Sequence, residues 1–190
     1  MSDINPILLR VPTRFETARL QIRAPRVSDA PAHHQAVTES FNELQPWMGW
    51  AKTLPTAQDS KALLRRMAGK FTLRETLMFI MTDYTTELYI GEVFLMNPKW
   101  DVPSFEIGYW VRTSMTGQGY MTEALTGVTE YAFKYLKAMR LYLHIDVRNQ
   151  ASIAVAKRCG YVQEGILRCE RRGNQDELCD MILFAKIRAT

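Results

Sequence analysis

The sequence predicts an α/β (α+β) fold, a single mixed and mostly antiparallel β-sheet flanked by helices. Three observations carry the prediction. Stretches such as TARLQIR and RLYLHIDV alternate with period two, others place apolar residues at helical spacing, and a glycine-bearing turn at 114–125, SMTGQGYMTEAL, joins a strand to a helix and so implies a crossover.

In chain order, Thr17–Arg23 sets Leu20 and Ile22 against polar neighbours and reads as a half-buried first strand, ended by Pro25. Ser28 or Asp29 caps a helix through about Glu39, with Pro31 in the first turn, where its missing N–H has no helical partner to lose. FNELQPWMGWAKTLP reads as a polar and aromatic loop. It leads to a second helix from Thr56 to about Phe71, with Ala62, Leu63 and Met67 at helical spacing. Leu77–Thr82 and Leu88–Met96 form a hairpin about DYTTE, and Asn97–Pro103 turns the chain into a strand at Phe105–Arg112. After the glycines, Thr122 to about Leu136 places Leu125, Val128, Ala132 and Phe133 on one face of a helix. Arg140–Val147 alternates as a strand, and Ala151–Arg158 is a short helix closed by Gly160 as its C-cap. Strands near Val162–Arg168 and Leu178–Ile187 follow. No repeat, linker or low-complexity stretch interrupts this order, and 190 residues suffice for one core, so 1–190 is expected to be a single domain.

Composition narrows the function. No run of about 18 apolar residues crosses a membrane, and MSDINPILLRVPTRF has an early acid and no basic lead, so it does not read as a signal peptide. A cytoplasmic location is expected. Cys159, Cys169 and Cys179 match neither zinc spacing nor a paired framework and read as reduced thiols in or near the core. His33, His34 and His144 are too scattered for a metal site, and adjacent His33 and His34 point to different helix faces, so at most one faces a ligand. The net charge of +4 permits an anionic partner, but the basic residues form no stripe. The densest pairs, Arg65–Arg66 and Arg171–Arg172, lack any nucleic-acid-binding signature and read as solvated faces. An anionic cofactor accounts for the excess equally well.

Gly117 and Gly119 stand where a strand, SFEIGYWVR, runs into a helix. A helix N-terminus offers unpaired N–H groups and partial positive charge, and absent side chains let a phosphate approach that backbone. The pair alone is also the ordinary mark of a tight turn needing positive φ. A Rossmann turn is excluded, because the third glycine of its pattern is missing; a P-loop is excluded, because Tyr120 and Met121 follow Gly119.

A second segment some 30 residues on, NQASIAVAKRCGYVQEG, changes the balance. Taken with the first, it resembles the GNAT family of N-acetyltransferases, whose acetyl-CoA turn reads Q/R-x-x-G-x-G/A and whose next helix is entered from an Asn near the end of a strand. The likeness spans TARLQIR, Pro46–Trp47, EIGYWV, TGQGYMTEAL, the N-x-x-S helix and GYVQEGILR, and is nearest to the RimJ/RimL-type subgroup, which acetylates protein amino termini, including those of ribosomal proteins. Two positions depart from the pattern. Thr116 stands where Gln or Arg is usual, which loses a side-chain donor, and Met121 stands where Gly or Ala is usual, which is tolerated if it supplies only its N–H and turns its side chain inward.

The resemblance implies a GNAT-like acyl-CoA N-acyltransferase fold, with acetyl-CoA as co-substrate and no metal. The backbone from Gln118 through Gly119 and Tyr120 to Met121 would cradle the CoA pyrophosphate, which Gly117 and Gly119 let approach; Thr116, Thr122, Val111 and Ser152 would also bind the cofactor, and Asn149 would hold it by its amide. Asn149 reads equally as an Asx-type cap. The backbone around Val111 is the expected oxyanion donor, since the family's strand bulges there and splays from its neighbour to admit pantetheine. For the base, period-two counting puts Glu106 on the face of Gly108 and Trp110; Glu92 and Asp146 are rivals, and each also reads as a paired or solvated carboxylate. The Tyr many family members carry seven residues after the motif Asn is Ala156 here. Ser152, three after Asn149, is the candidate donor to the leaving thiolate, or else a helix-entry hydroxyl.

Leu44, Trp47, Met48 and Trp50 form a satellite core cluster or a wall gripping an acceptor; by resemblance they line the acceptor site, which Tyr109 and Trp110 extend. Three functions stay open. One is acetylation of a protein N-terminus. Another is acetylation of a small amine such as a polyamine, aminoglycoside or amino acid, against which Glu39, Glu43 and Asp59 are a sparse set of acids. The third is a silent acyl-CoA-binding sensor. Monomer and homodimer both remain open.

Overall fold

A computed structural model describes residues 5–189; the first four residues of the amino-terminal stretch weighed above as a leader lie outside them. Strands β1 (Arg14–Glu16), β2 (Leu20–Arg23), β3 (Leu77–Asp83), β4 (Tyr89–Lys99), β5 (Ser104–Val111), β6 (Arg140–Asp146), β7 (Val162–Arg172) and β8 (Leu178–Ile187) make one sheet in the order β1-β2-β3-β4-β5-β6-β8-β7. Neighbours are antiparallel except β5 and β6, which the crossover helix makes parallel. The helices are α1 (Ala30–Leu44), α2 (Ala57–Leu73), α3 (Tyr120–Tyr135) and α4 (Gln150–Arg158). None among the described residues is long and apolar enough to cross a membrane.

Alternation along the strands sorts side chains to two cores. Leu77, Phe79 and Met81 of β3 join Phe105, Ile107, Leu141 and Leu143 under Ala124, Leu125, Val128 and Ala132 of α3 and Ile153 and Ala156 of α4. Met78 and Ile80 turn the other way, to Ala36, Val37 and Leu44 of α1 and Leu64 of α2. The sheet thus separates α3 and α4 from α1 and most of α2.

Several elements differ from the sequence expectation. Three residues, Arg14–Glu16, add a strand that period counting misses, because its partner β2 supplies the order. Helix α1 begins after a 3-10 turn and runs through Phe41–Leu44, where buried Leu44 rewards continuation until Pro46, which has no N–H to donate. Asp29 makes no side-chain cap bond to α1; its carboxylate accepts instead from Arg26 N at 2.7 Å and Arg23 Nη2 at 2.7 Å. Thr56 does cap α2, in a reciprocal box with Asp59. The buried face of α2 carries Ser60, Leu64 and Phe71, with Leu63 half-buried and Ala62 exposed, so the apolar stripe lies about one position from the one expected. Strand β4 continues to Lys99 through the expected turn, and β7 runs on to Arg172 past two register shifts. Cys169 lies within the second of those shifts and is exposed, unlike buried Cys159 and Cys179, and so is no core thiol. Gly160, at φ +74°, follows α4: its N–H donates to Lys157 O and Tyr161 N donates to Ala156 O at 3.0 Å, a Schellman closure.

One irregularity bears on the site. β4 shifts register against β3 between the pairs Met81–Gly91 and Thr82–Tyr89, leaving Ile90 extra. The inserted residue inverts the alternation, so that Tyr89 and Glu92 share the α1 face although their numbers differ by three, and the Tyr89 hydroxyl donates to the Glu92 carboxylate.

Candidate active site

β5 and β6 pair through Ser104–Arg140, Phe105–Leu141 and Glu106–Tyr142, and part beyond Glu106. β5 meanwhile keeps register with β4 up to Val111 opposite Gly91. Arg112 N donates to Ile90 O at 2.8 Å. By alternation the N–H groups of Trp110 and Arg112 face β4, while those of Tyr109 and Val111 face the opening that the departing β6 leaves. The bulge expected in β5 at Val111 therefore lies across from it, in β4 at Ile90–Gly91. Divergence of the strands, and no extra residue in β5, turns the Val111 N–H toward the opening.

A cleft of about 1370 Å³ passes through the sheet at this point. Leu44, Trp47, Met48 and Trp110 line it from the α1 side; Tyr109, Val111, the glycine turn, Asn149 and Ser152 line it from the α3–α4 side.

The glycine turn follows a 3-10 segment, Thr113–Met115, that α1 holds from behind: Ser40 Oγ accepts from Thr113 N at 2.9 Å, and Glu39 accepts from Ser114 N at 3.1 Å and Arg112 Nε at 2.7 Å. The hydrogen bond from Arg112 holds the Glu39 carboxyl down at about 2. Gly117 (φ +74°) and Gly119 (φ +81°) are both left-handed, the region glycine alone enters without strain. A Cβ at Gly117 would stand in open space, so conformation and not crowding requires glycine there. Gly119 is the N-cap of α3, so the first N–H groups of the helix, from Tyr120 on, lack intrahelical acceptors. Thr116, Gly117, Gly119, Tyr120, Met121 and Thr122 line the cleft; Gln118 does not, its side-chain amide being turned back to Ser114 O at 3.2 Å. The Thr116 hydroxyl is spent on Thr113 O at 2.8 Å. Met121 is buried in the core, side chain inward. Arg158 and Lys134 also line the cleft. They are two cations the sequence did not single out, because helical surface cations carry no signature of their own.

The Asn149 side-chain oxygen accepts from Ser152 N at 3.0 Å, which makes it the N-cap of α4 and leaves its NH₂ for the cleft. Ser152 meets a residue assigned above to the acceptor wall: the Tyr109 hydroxyl lies 2.8 Å from Ser152 Oγ and 3.2 Å from Ser152 O. Burial pushes the Tyr109 hydroxyl up to about 12, so it stays protonated at neutral pH. Period-two counting carries no signal for this pair, whose members lie 43 residues apart on different elements.

On the α1 side Trp47 and Met48 face the cleft, whereas Trp50 is 45% exposed and outside its lining. The β7–β8 turn clasps this loop. Arg171 Nη2 donates to Trp47 O at 2.9 Å, and Asn174 Nδ2 donates to Gln45 O at 2.7 Å and Met48 O at 2.9 Å.

None of the three carboxylates weighed as a base lines the cleft. Glu106 lies at the last β5–β6 pair, its oxygens held by Asn97 Nδ2 at 2.7 Å and His144 Nδ1 at 3.0 Å. Asp146 is ion-paired with Arg148 at 2.7 Å and held low by it. Glu92 is buried, accepting from Tyr89 and from Trp110 Nε1 at 2.7 Å, with His33 Nε2 at 3.2 Å. On the α1 side the carboxylate that does line the cleft is Glu43.

Burial pushes Glu92 from 4.5 up to about 7, and pushes His33 from 6.5 down to about 4. The folded state then holds the Glu92 proton more tightly than the unfolded chain, so this carboxyl lowers stability progressively as pH rises from about 4.5 past 7. His33 does the reverse, adding stability between about 4 and 6.5, so above 6.5 only the Glu92 slope remains. Glu92→Gln is expected to flatten the decline in urea midpoint between pH 6.5 and 8; an unchanged slope would place its origin elsewhere.

Comparison with known proteins agrees with this geometry. Residues 19–162 match the family model described as acetyltransferase (GNAT) domain. The chain is 40% identical over 62 residues to a Bacillus subtilis (strain 168) protein named Probable N-acetyltransferase YjcK, an alignment spanning 33% of this chain and 34% of that one. The chain thus aligns with about a third of that relative's length. It is 24% identical over 171 residues to the ribosomal-protein-serine acetyltransferase of Escherichia coli (strain K12), covering 88% of this chain and 92% of the relative. The solved structure of RimL, the ribosomal L7/L12 alpha-N-protein acetyltransferase, in complex with coenzyme A superposes with TM-score 0.85 at 24% identity, over 93% of this chain and 97% of that one. The helix N-terminus with two left-handed glycines fits the acetyl-CoA that such enzymes use. The chain belongs to the GNAT acetyltransferase family.

Proposed function

We propose that this acetyltransferase modifies a protein N-terminal α-amine, such as that of a ribosomal protein, by direct attack in a ternary complex. The observation that carries the reading is the cleft lined from both faces of the sheet, which lets donor and acceptor enter from opposite sides and meet at Val111. The relatives named for ribosomal proteins support the acceptor class. One carboxylate, Glu43, at the acceptor end suits a single ammonium better than a polycation.

Acetyl-CoA supplies the activated acetyl group. The Val111 N–H donates to the carbonyl oxygen as it gains charge, a role supported by its facing the opening between β5 and β6. An α-amine has a reference pKa of about 7.7–8.0, so a fair fraction enters already neutral; the proton the nitrogen sheds as the amide forms passes through water in the cleft to the departing thiolate, and the carboxylates outside the cleft need not touch it. When Tyr109 donates to Ser152 Oγ, the serine proton is free to turn into the cleft toward the leaving sulfur.

The test is CoA release against a panel of N-terminal peptides and small amines. Peptides beginning with Ser, Ala, Thr or Met are expected to be acetylated; turnover of a small amine with none of these peptides would overturn the acceptor assignment. Asn174→Ala, which frees the Gln45 and Met48 carbonyls, is expected to raise the acceptor KM about fivefold while that for acetyl-CoA holds.

A further inference from the structure

Arg19, at the turn between β1 and β2, reaches across the fold to the glycine turn. Its Nη1 donates to Gln118 O at 3.0 Å, its Nε to Glu123 Oε2 at 2.7 Å, and its backbone N to Glu123 Oε1 at 2.8 Å. The guanidinium carbon lies 4.4 Å from the centroid of the Tyr120 ring, and Thr17 Oγ1 adds a further bond to Glu123 at 2.5 Å. Arg19 itself does not line the cleft.

Two consequences follow from elementary chemistry. In a planar trans peptide the C=O and the next N–H point in opposite directions, so holding Gln118 O on the outer side turns the Gly119 N–H the other way, into the cleft that Gly119 lines. Glu123 is a carboxylate in the first turn of α3, where its charge opposes any phosphate at that helix end, and the guanidinium offsets it.

We propose that Arg19 is a positioning residue for CoA: it orients the Gln118–Gly119 peptide and neutralises Glu123, so that the turn receives the pyrophosphate without Arg19 touching it. The inference rests on the glycine turn being the CoA site.

The experiment is calorimetric titration of wild type, Arg19→Ala and Arg19→Lys with CoA and with 3′-dephospho-CoA, alongside amide exchange at Gly119 in the CoA-free proteins. Wild-type binding tests the site itself, separately from the role of Arg19. Arg19→Ala is expected to weaken both ligands by the same factor, roughly tenfold, and to speed exchange at Gly119. Arg19→Lys keeps the charge but lacks a fork that reaches Glu123 and Gln118 together, so it is expected to be impaired too, and it serves if the alanine variant folds poorly. Unchanged affinity in either variant overturns the proposal. So does a loss confined to CoA, which would make Arg19 a direct ligand of the 3′-phosphate.

Discussion

Gly91→Ala is expected to cost about 2–3 kcal/mol of stability and to slow acetyl transfer about a hundredfold. A Cβ at Gly91 would lie 2.3 Å from Trp110 O and 3.0 Å from Val111 Cα. Both are backbone atoms of the strand bearing the proposed donor N–H, so relief requires β4 and β5 to separate where the cleft crosses the sheet. Gly108→Ala is the control: its Cβ would meet only the Met96 methyl at 2.9 Å, the flexible end of a side chain. Urea midpoints and kcat measured on both variants make the comparison. Equal losses would show that the close approach at Gly91 is not what shapes the site.

Ser152→Ala is expected to lower kcat about tenfold, with little change in the KM for acetyl-CoA, because a thiol of reference pKa near 8.5 leaves without large assistance. Tyr109→Phe removes the hydroxyl 2.8 Å from Ser152 Oγ and is expected to do similar damage. If the two hydroxyls act as one unit, the double variant is no slower than the worse single one. Multiplying losses would separate them, and unchanged turnover in Ser152→Ala would remove Ser152 from the mechanism.

Much of this fold was legible from period alone. The limits of β8 at Leu178–Ile187 match the expectation, and α3 begins two residues earlier than expected because Gly119 caps it. Errors gathered where local pattern yields to tertiary partners. The three-residue β1 exists only against β2, and the stripe of α2 shifted because Leu64, and not Leu63, reaches Val37 and Met78 in the core. The glycine turn was legible because left-handed backbone favours glycine, which sequence displays. Three other features were hidden because long-range contacts make them: Tyr109 beside Ser152, Arg19 beneath the turn, and the bulge in β4 where one was expected in β5.

The parting of β5 and β6 has a mechanical side. β1 to β5 on one side and β6, β8 and β7 on the other are joined within the sheet by the short run of pairs ending at Glu106–Tyr142. A pantetheine arm lying between the diverging strands, as the proposed function has it, would touch both sides and act as a missing rung of the ladder. Free energy of binding at that seam is also free energy of cohesion between the two halves. On that reading the substrate would brace the sheet it crosses, and each turnover would release the brace along with the product.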